Sequence, residues 1–149
     1  MRLSADEAWA VITGSHTGIF TSLRRDGVPI ALPVWFVVLD RRIYVSGPAT
    51  AKRLPRVRRD PRVSFLVESG QRWAELRAVQ LTGRARVVTE PDLLAAVAAA
   101  LDAKYATFRT ARVAMPAATR AHYEVARATI EITPDAHMLS WDNSRLRTR

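Results

Sequence analysis

The tight turn at Arg25-Asp26-Gly27 constrains this chain more than any other feature of its sequence. Asp-Gly between two strand-forming runs signals a hairpin, because the favoured two-residue turns need a positive φ that aspartate tolerates and glycine adopts freely. Thr17 to Leu23 reads as the strand before it. Val28 to Leu39 reads as the strand after it, bent or edge-like near Pro29 and Pro33, since proline cannot donate to a ladder. Asp40-Arg41-Arg42 makes the next turn and Ile43 to Ser46 returns, so a three-stranded meander is expected. Arg62 to Glu68 follows as a strand apolar at Val63, Phe65 and Val67, and Trp73 to Val88 gives one long strand or two, with Gly83 a bulge. Tyr123 to Thr133 alternates as a last strand, Pro134-Asp135 turns, and a short tail runs through Trp141.

Helical signals are fewer. Ser4-Ala5-Asp6-Glu7 has the form of a capping box and opens a helix through Thr13, with Trp9 and Ile12 inward and Gly14 as the stop. Thr50 caps a short helix to Arg59, made irregular by Pro55. Thr89-Glu90-Pro91-Asp92 opens a helix whose buried face is Leu94, Val97, Leu101, Tyr105 and Phe108. The stretch 110–119 is weakly patterned, a loop with a helical turn. Strands joined by tight turns, without β-α-β alternation, indicate a small antiparallel barrel rather than a dinucleotide-binding sheet.

Composition removes several chemistries. The chain has 149 residues, 48% of them hydrophobic, which is enough for a core. It has no cysteine, so disulfides, thiolate metal sites and thiol nucleophiles are excluded. The first fifteen residues carry Asp6 and Glu7 and no apolar run, and no segment is long and apolar enough to span a bilayer; a cytoplasmic location is expected. The net charge is +9, and all but Lys52 and Lys104 of the 23 Lys and Arg residues are arginine. Such a chain attracts phosphorylated ligands or nucleic acid. Nucleic acid is not expected, because aromatic and basic residues are not interleaved in any cluster.

Glycine-rich phosphate loops and a Gly-x-Ser-x-Gly elbow are absent, and His16, His122 and His137 are isolated, without metal-ligand spacing. The best candidate site is Ser46 to Arg53. Gly47 frees the backbone, Thr50 offers a hydroxyl, and Lys52 and Arg53 offer full charges at a helix start. On spacing alone it reads equally as an ordinary capped basic turn. Trp35, mid-strand in Leu32-Pro33-Val34-Trp35-Phe36, reads first as core, and Trp141 as a residue that docks on its own barrel or on a second subunit.

Taken in order, several short pieces resemble the pyridoxamine 5′-phosphate oxidase-like split β-barrel family, in its branch of flavin- and deazaflavin (F420)-dependent oxidoreductases. They are Gly18 to Leu23, Asp26-Gly27, Pro33-Val34-Trp35-Phe36, Lys52-Arg53, Arg58 to Val63, Leu81-Thr82-Gly83-Arg84-Ala85 and Ser140-Trp141-Asp142. The resemblance implies a mainly β (α+β) fold, a six- to seven-stranded antiparallel split β-barrel with flanking helices, as one domain over residues 1–149. It implies a homodimer with cofactor sites at the subunit interface, binding F420 or alternatively FMN, and hydride transfer to an unknown small organic substrate. A non-catalytic cofactor carrier is the other reading; some relatives bind heme. Thr50 and Lys52 would hold the phosphate, and Val34, Trp35 and Phe36 would run along the ribityl chain and ring. The spacing from the lysine to Asp60-Pro61 is one residue longer than in the family, at Pro55, so either Lys52 keeps the role or Arg53 takes it. No acid–base residue stands out; bound solvent or a tyrosine, Tyr44 or Tyr123, would supply a proton. In such barrels substrate contacts come from loops, and loop residues such as Gln71 to Glu75 carry no readable code for the substrate.

Overall fold

A computed structural model describes residues 2–146 of the chain; the side chains of Arg112, His122 and Tyr123 lie outside the described groups, so the roles weighed for His122 and Tyr123 do too. Seven strands form one antiparallel sheet in the order β2-β1-β5-β6-β7-β4-β3. Among the described residues, no helix is long and apolar enough to cross a membrane.

The first helix, α1 (Ala5–Gly14), starts at a true capping box: the Glu7 N–H donates to Ser4 Oγ and the Ser4 N–H to Glu7 Oε2. It buries Ala8, Trp9 and Ile12. Strands β1 (Gly18–Leu23) and β2 (Pro29–Val34) form the expected hairpin, with Gly27 at φ +83°.

The meander does not continue. Strand β3 (Val37–Leu39) lies at the far edge of the sheet from β2, paired to β4 (Arg42–Pro48) through a turn in which Asp40 and Arg41 both have positive φ. The run 28–39 is therefore two strands, broken at Trp35-Phe36. Pro29 and Pro33 suit β2 only to an edge. At the break, backbone bonding passes from the ladder to side chains: the Phe36 N–H donates to Tyr105 Oη (2.9 Å), and the Phe36 carbonyl accepts from Lys104 Nζ (2.9 Å). This crossing carries the chain from one sheet edge to the other and curls the sheet into a split barrel.

Helix α2 (Arg53–Arg59) is continuous, because Pro55 stands in its first turn, where a backbone donor is not needed. Thr50 does not cap it. Lys52 occupies the cap position without a side-chain cap bond, and Thr50 lies in the preceding turn. Strand β5 (Arg62–Ser69) leads through a 3-10 turn at Trp73–Glu75 to β6 (Arg77–Val87). Helix α3 (Pro91–Tyr105) buries Val97, Leu101 and Tyr105, as its periodicity predicts. Phe108 departs from that face, because the α-helix ends at Tyr105 and the following 3-10 turn leaves it 60% exposed.

The last strand is also displaced. Residues Ala117–Tyr123 form α4, and β7 runs Arg127–Asp142 without a turn at Pro134. Pro134 sits opposite Gly83, where the β6–β7 register shifts, and a bulge tolerates a residue without a donor. Gly83 is required by closeness: a Cβ there would stand 2.4 Å from the Thr133 carbonyl oxygen. What reads as a tail through Trp141 is thus the outer half of β7. The barrel interior holds Phe20, Phe36, Ile43, Phe65, Leu81, Ile130 and Ile132, with Leu54 and Val57 of α2 packed in. A second cluster under α3 joins Val97, Leu101 and Tyr105 to Val37, Tyr44 and Val88.

Candidate functional site

Strand β4 ends in Ser46-Gly47-Pro48, paired with Thr129, Ala128 and Arg127 of β7. From the first turn of α2, Arg53 folds back over this end, its Nη2 donating to the Ser46 carbonyl at 3.4 Å. Gly47 makes the room: a Cβ there would lie 2.0 Å from that nitrogen. Arg53 is half-buried and has no carboxylate partner among the described residues; burial first, and then the charge of Arg127, hold its pKa below the usual value. A desolvated cation beside a second cation costs free energy that an anion would offset. Thr50 and Lys52 are exposed beside it, and neither side chain makes a hydrogen bond among the described residues. The β4–α2 link and the facing end of β7 therefore bring Thr50, Lys52, Arg53 and Arg127 together without an acid partner among the described residues.

Val34 and Phe36 are core side chains, 7% and 0% exposed, so only their backbone could face a ligand. Trp35 between them is 37% exposed and stacks on Tyr105, the ring centroids 4.2 Å apart and the planes parallel. The His16 ring meets Trp35, Tyr105 and Phe108 edge-on at 5.6, 5.3 and 4.4 Å. Tyr105 Oη also lies 2.8 Å from the His16 carbonyl and 3.0 Å from that of Phe36, with one proton to share between them. Lys104 Nζ stands 3.8 Å from the Phe36 ring centroid, and burial lowers its pKa to about 8. Val37 pairs with Tyr44, two residues before Ser46, so the Trp35-Phe36 break leads into the hairpin whose second strand ends at the cradle. A groove of about 550 Å³ opens beside the cluster, lined by Val11, Ser15, His16, Thr17, Leu66 and Glu68 among others.

Sequence reasoning missed His16, Lys104 and Phe108 here and saw Tyr105 only as core. The signal for Tyr105 was present, as a hydroxyl on a buried helix face that must find partners. The histidine gave none, since its partners come from three other segments. Tyr44 is corrected as a proton source. It is 3% exposed and donates to Glu131 Oε2 at 2.8 Å, and burial and that bond push its pKa up to about 12. Arg86 Nε holds the other Glu131 oxygen at 2.8 Å, so the trio pins β4, β6 and β7 together.

Fold and site together define a split β-barrel with an exposed indole at its strand break and, at the end of β4, cations without acid partners among the described residues. The sequence profile of the pyridoxamine 5′-phosphate oxidase family matches residues 4–137, and the chain belongs to that family. Among solved structures it is similar to a conserved hypothetical protein from Mycobacterium tuberculosis, with 29% identity and a TM-score of 0.79 over 96% of this chain and 87% of the other. A FAD-binding protein from Mesorhizobium loti (20% identity, TM-score 0.69, 93% of each chain) shares the fold. So does a heme storage protein from Vibrio cholerae (14% identity, TM-score 0.70, 93% of this chain and 94% of the other). No curated protein sequence matches the chain.

Proposed function

We propose that this protein is an oxidoreductase that binds a phosphate-bearing deazaflavin, F420, or alternatively FMN, at the interface of a homodimer. The observation that carries the reading is Arg53: a half-buried guanidinium, seated over Gly47 beside Arg127, with no acid to neutralise it among the described residues. Arg53, which grips bidentately, takes the inner phosphate contact, and exposed Lys52 and Thr50 close the rim. The F420 tail adds carboxylates, which suits Lys52, Arg58 and Arg127, all without acid partners among the described residues. Bound there, the cofactor would supply hydride transfer, and the chain would hold and orient it. The Trp35 indole offers an apolar face for the ring, and the groove beside His16 leaves space for a small organic substrate. Trp73, Leu139 and Trp141 are apolar and 66%, 66% and 41% exposed, which supports a second copy as their cover. A single domain and a cytoplasmic location belong to the same reading.

Titration of the purified protein with F420 and FMN tests it. Micromolar binding of one is expected, weakened about tenfold or more by Arg53→Ala, as for loss of a charged hydrogen bond, and less by Lys52→Ala. Gly47→Ala should weaken binding through displacement of the Arg53 guanidinium, with little loss of stability, since a flexible side-chain end can move. Wild-type affinity in the Arg53, Lys52 and Gly47 variants alike removes the cradle as the anchor. Carriage without turnover is the second reading, favoured by the burial of Tyr44 away from proton transfer. Tight cofactor binding without reduction of any enone, quinone or tetrapyrrole offered would decide for it.

A further inference from the structure

Lys104 is a half-buried cation that the cradle does not use. It sits in the last turn of α3, with Nζ donating to the Phe36 carbonyl at 2.9 Å, 3.8 Å from the centroid of the Phe36 ring and 5.2 Å from that of Tyr105. Among the described residues no carboxylate pairs with it, and burial is the cause of its lowered pKa. Other cations set against the sheet are differently placed: Arg86 pairs with Glu131 and Glu90, and Arg77 with Asp142. Satisfying one carbonyl needs only one neutral donor, so an amide would serve without the cost of desolvating a charge. The carbonyl it touches follows directly on Trp35, the exposed residue of the segment read above as lying along the cofactor ring.

We propose that Lys104 supplies the positive charge beside the cofactor ring, and thereby holds the reduced, more negatively charged form more tightly than the oxidised one. The inference rests on the cofactor reading of the preceding subsection. Taking up two electrons with one proton leaves the ring one unit more negative. A cation nearby, shielded from water, is attracted to that added charge and does little for the neutral ring. Lys104 is a positioning and tuning group in this account, with no proton or electron passing through it.

The test compares wild type, Lys104→Gln and Lys104→Arg, each titrated anaerobically with oxidised FMN and with dithionite-reduced FMN. The glutamine keeps a donor for Phe36 and loses the charge; the arginine keeps the charge. The ratio of the two dissociation constants should move about tenfold against the reduced form in Lys104→Gln, equivalent to roughly a 30 mV lower two-electron potential. It should stay within about twofold of wild type in Lys104→Arg. If Lys104 only props the Phe36 crossing, both affinities fall by the same factor, the ratio holds, and the inference is overturned. If Lys104→Gln does not fold, as far-ultraviolet circular dichroism would show, Lys104→Met takes its place in the same comparison. A wild type that binds neither FMN nor F420 overturns the cofactor reading itself, an outcome distinct from an unchanged ratio.

Discussion

The β6–β7 ladder and the Trp35-Phe36 crossing satisfy their backbones in opposite ways. Along β6–β7 the pairing runs from Arg77–Asp142 to Val87–Ile130, interrupted only at the Gly83–Pro134 bulge, and each residue depends on its opposite number. At the crossing, the Phe36 N–H and carbonyl depend on two side chains of α3, sixty-odd residues away in sequence. The ladder is redundant and the crossing is not. A split in a barrel is where backbone groups, freed from pairing, can be held by side chains that also face a ligand. The exposed indole and the Lys104 amine accordingly sit at the split, rather than along the ladder.

The contrast is sharpened first in the ladder. Ile132 is fully buried between Ile43 and Ala85, and Ile132→Ala should cost about 2–5 kcal/mol in chemical denaturation through the cavity it leaves. Because the damage is central, cofactor affinity should change only as far as the folded fraction does. The next effect tests the crossing. Tyr105→Phe removes one oxygen and leaves the Phe36 N–H without its acceptor in a buried place, which should cost about 1–3 kcal/mol. Here, unlike at Ile132, cofactor affinity should fall beyond the loss of stability, since the Phe36 N–H that loses its acceptor directly follows Trp35. A Tyr105→Phe protein as stable as wild type, with unchanged affinity, would mean that the crossing is held by other contacts and that the two regions do not differ as described.

The same contrast explains which parts of the molecule were legible in the sequence. Local signals were sufficient where local chemistry decides: the Ser4–Glu7 capping box, the Asp26-Gly27 hairpin, the Gly83 bulge and the Val97-Leu101-Tyr105 face all stand as read. The order of strands was not legible, because a continuous apolar run from Ile30 to Leu39 contains no mark of the point at which it changes edges. That mark is a pair of hydrogen bonds from α3, which no window around Trp35 contains. Pro134 misled for the converse reason: it reads as a turn, yet the register shift, whose extra residues lie just after it on β7, accepts it in place. In the candidate site, the arginine cradle was legible as a basic turn over a glycine, whereas the inward fold of Arg53 and its neighbour Arg127 depend on β4–β7 pairing. The His16, Lys104 and Phe108 surroundings of Trp35 come from segments that only the closed barrel brings together.

The smallest effect concerns the charge at the crossing. The Lys104 amine has a pKa near 8 in the folded protein, against 10.5 for the ordinary group, because burial disfavours its charged form. Below pH 8 both folded and unfolded chains carry the proton, and the burial penalty is present in full. Between pH 8 and 10.5 the folded chain gives up the proton while the unfolded chain keeps it, so the unfolded state binds more protons and stability must rise with pH. The rise is modest, since the amine is only half-buried and water screens the rest. Tyr44 acts in the opposite sense: its pKa is raised to about 12, so its contribution is lost as pH climbs from 10 towards 12. The clean window is therefore pH 8 to 9.5, read as the difference in denaturation free energy between wild type and Lys104→Gln. Wild type should gain on the variant across that window. A flat difference would mean that the amine is as well solvated as any surface lysine, and the crossing would then bear no unpaired charge to distinguish it from the ladder.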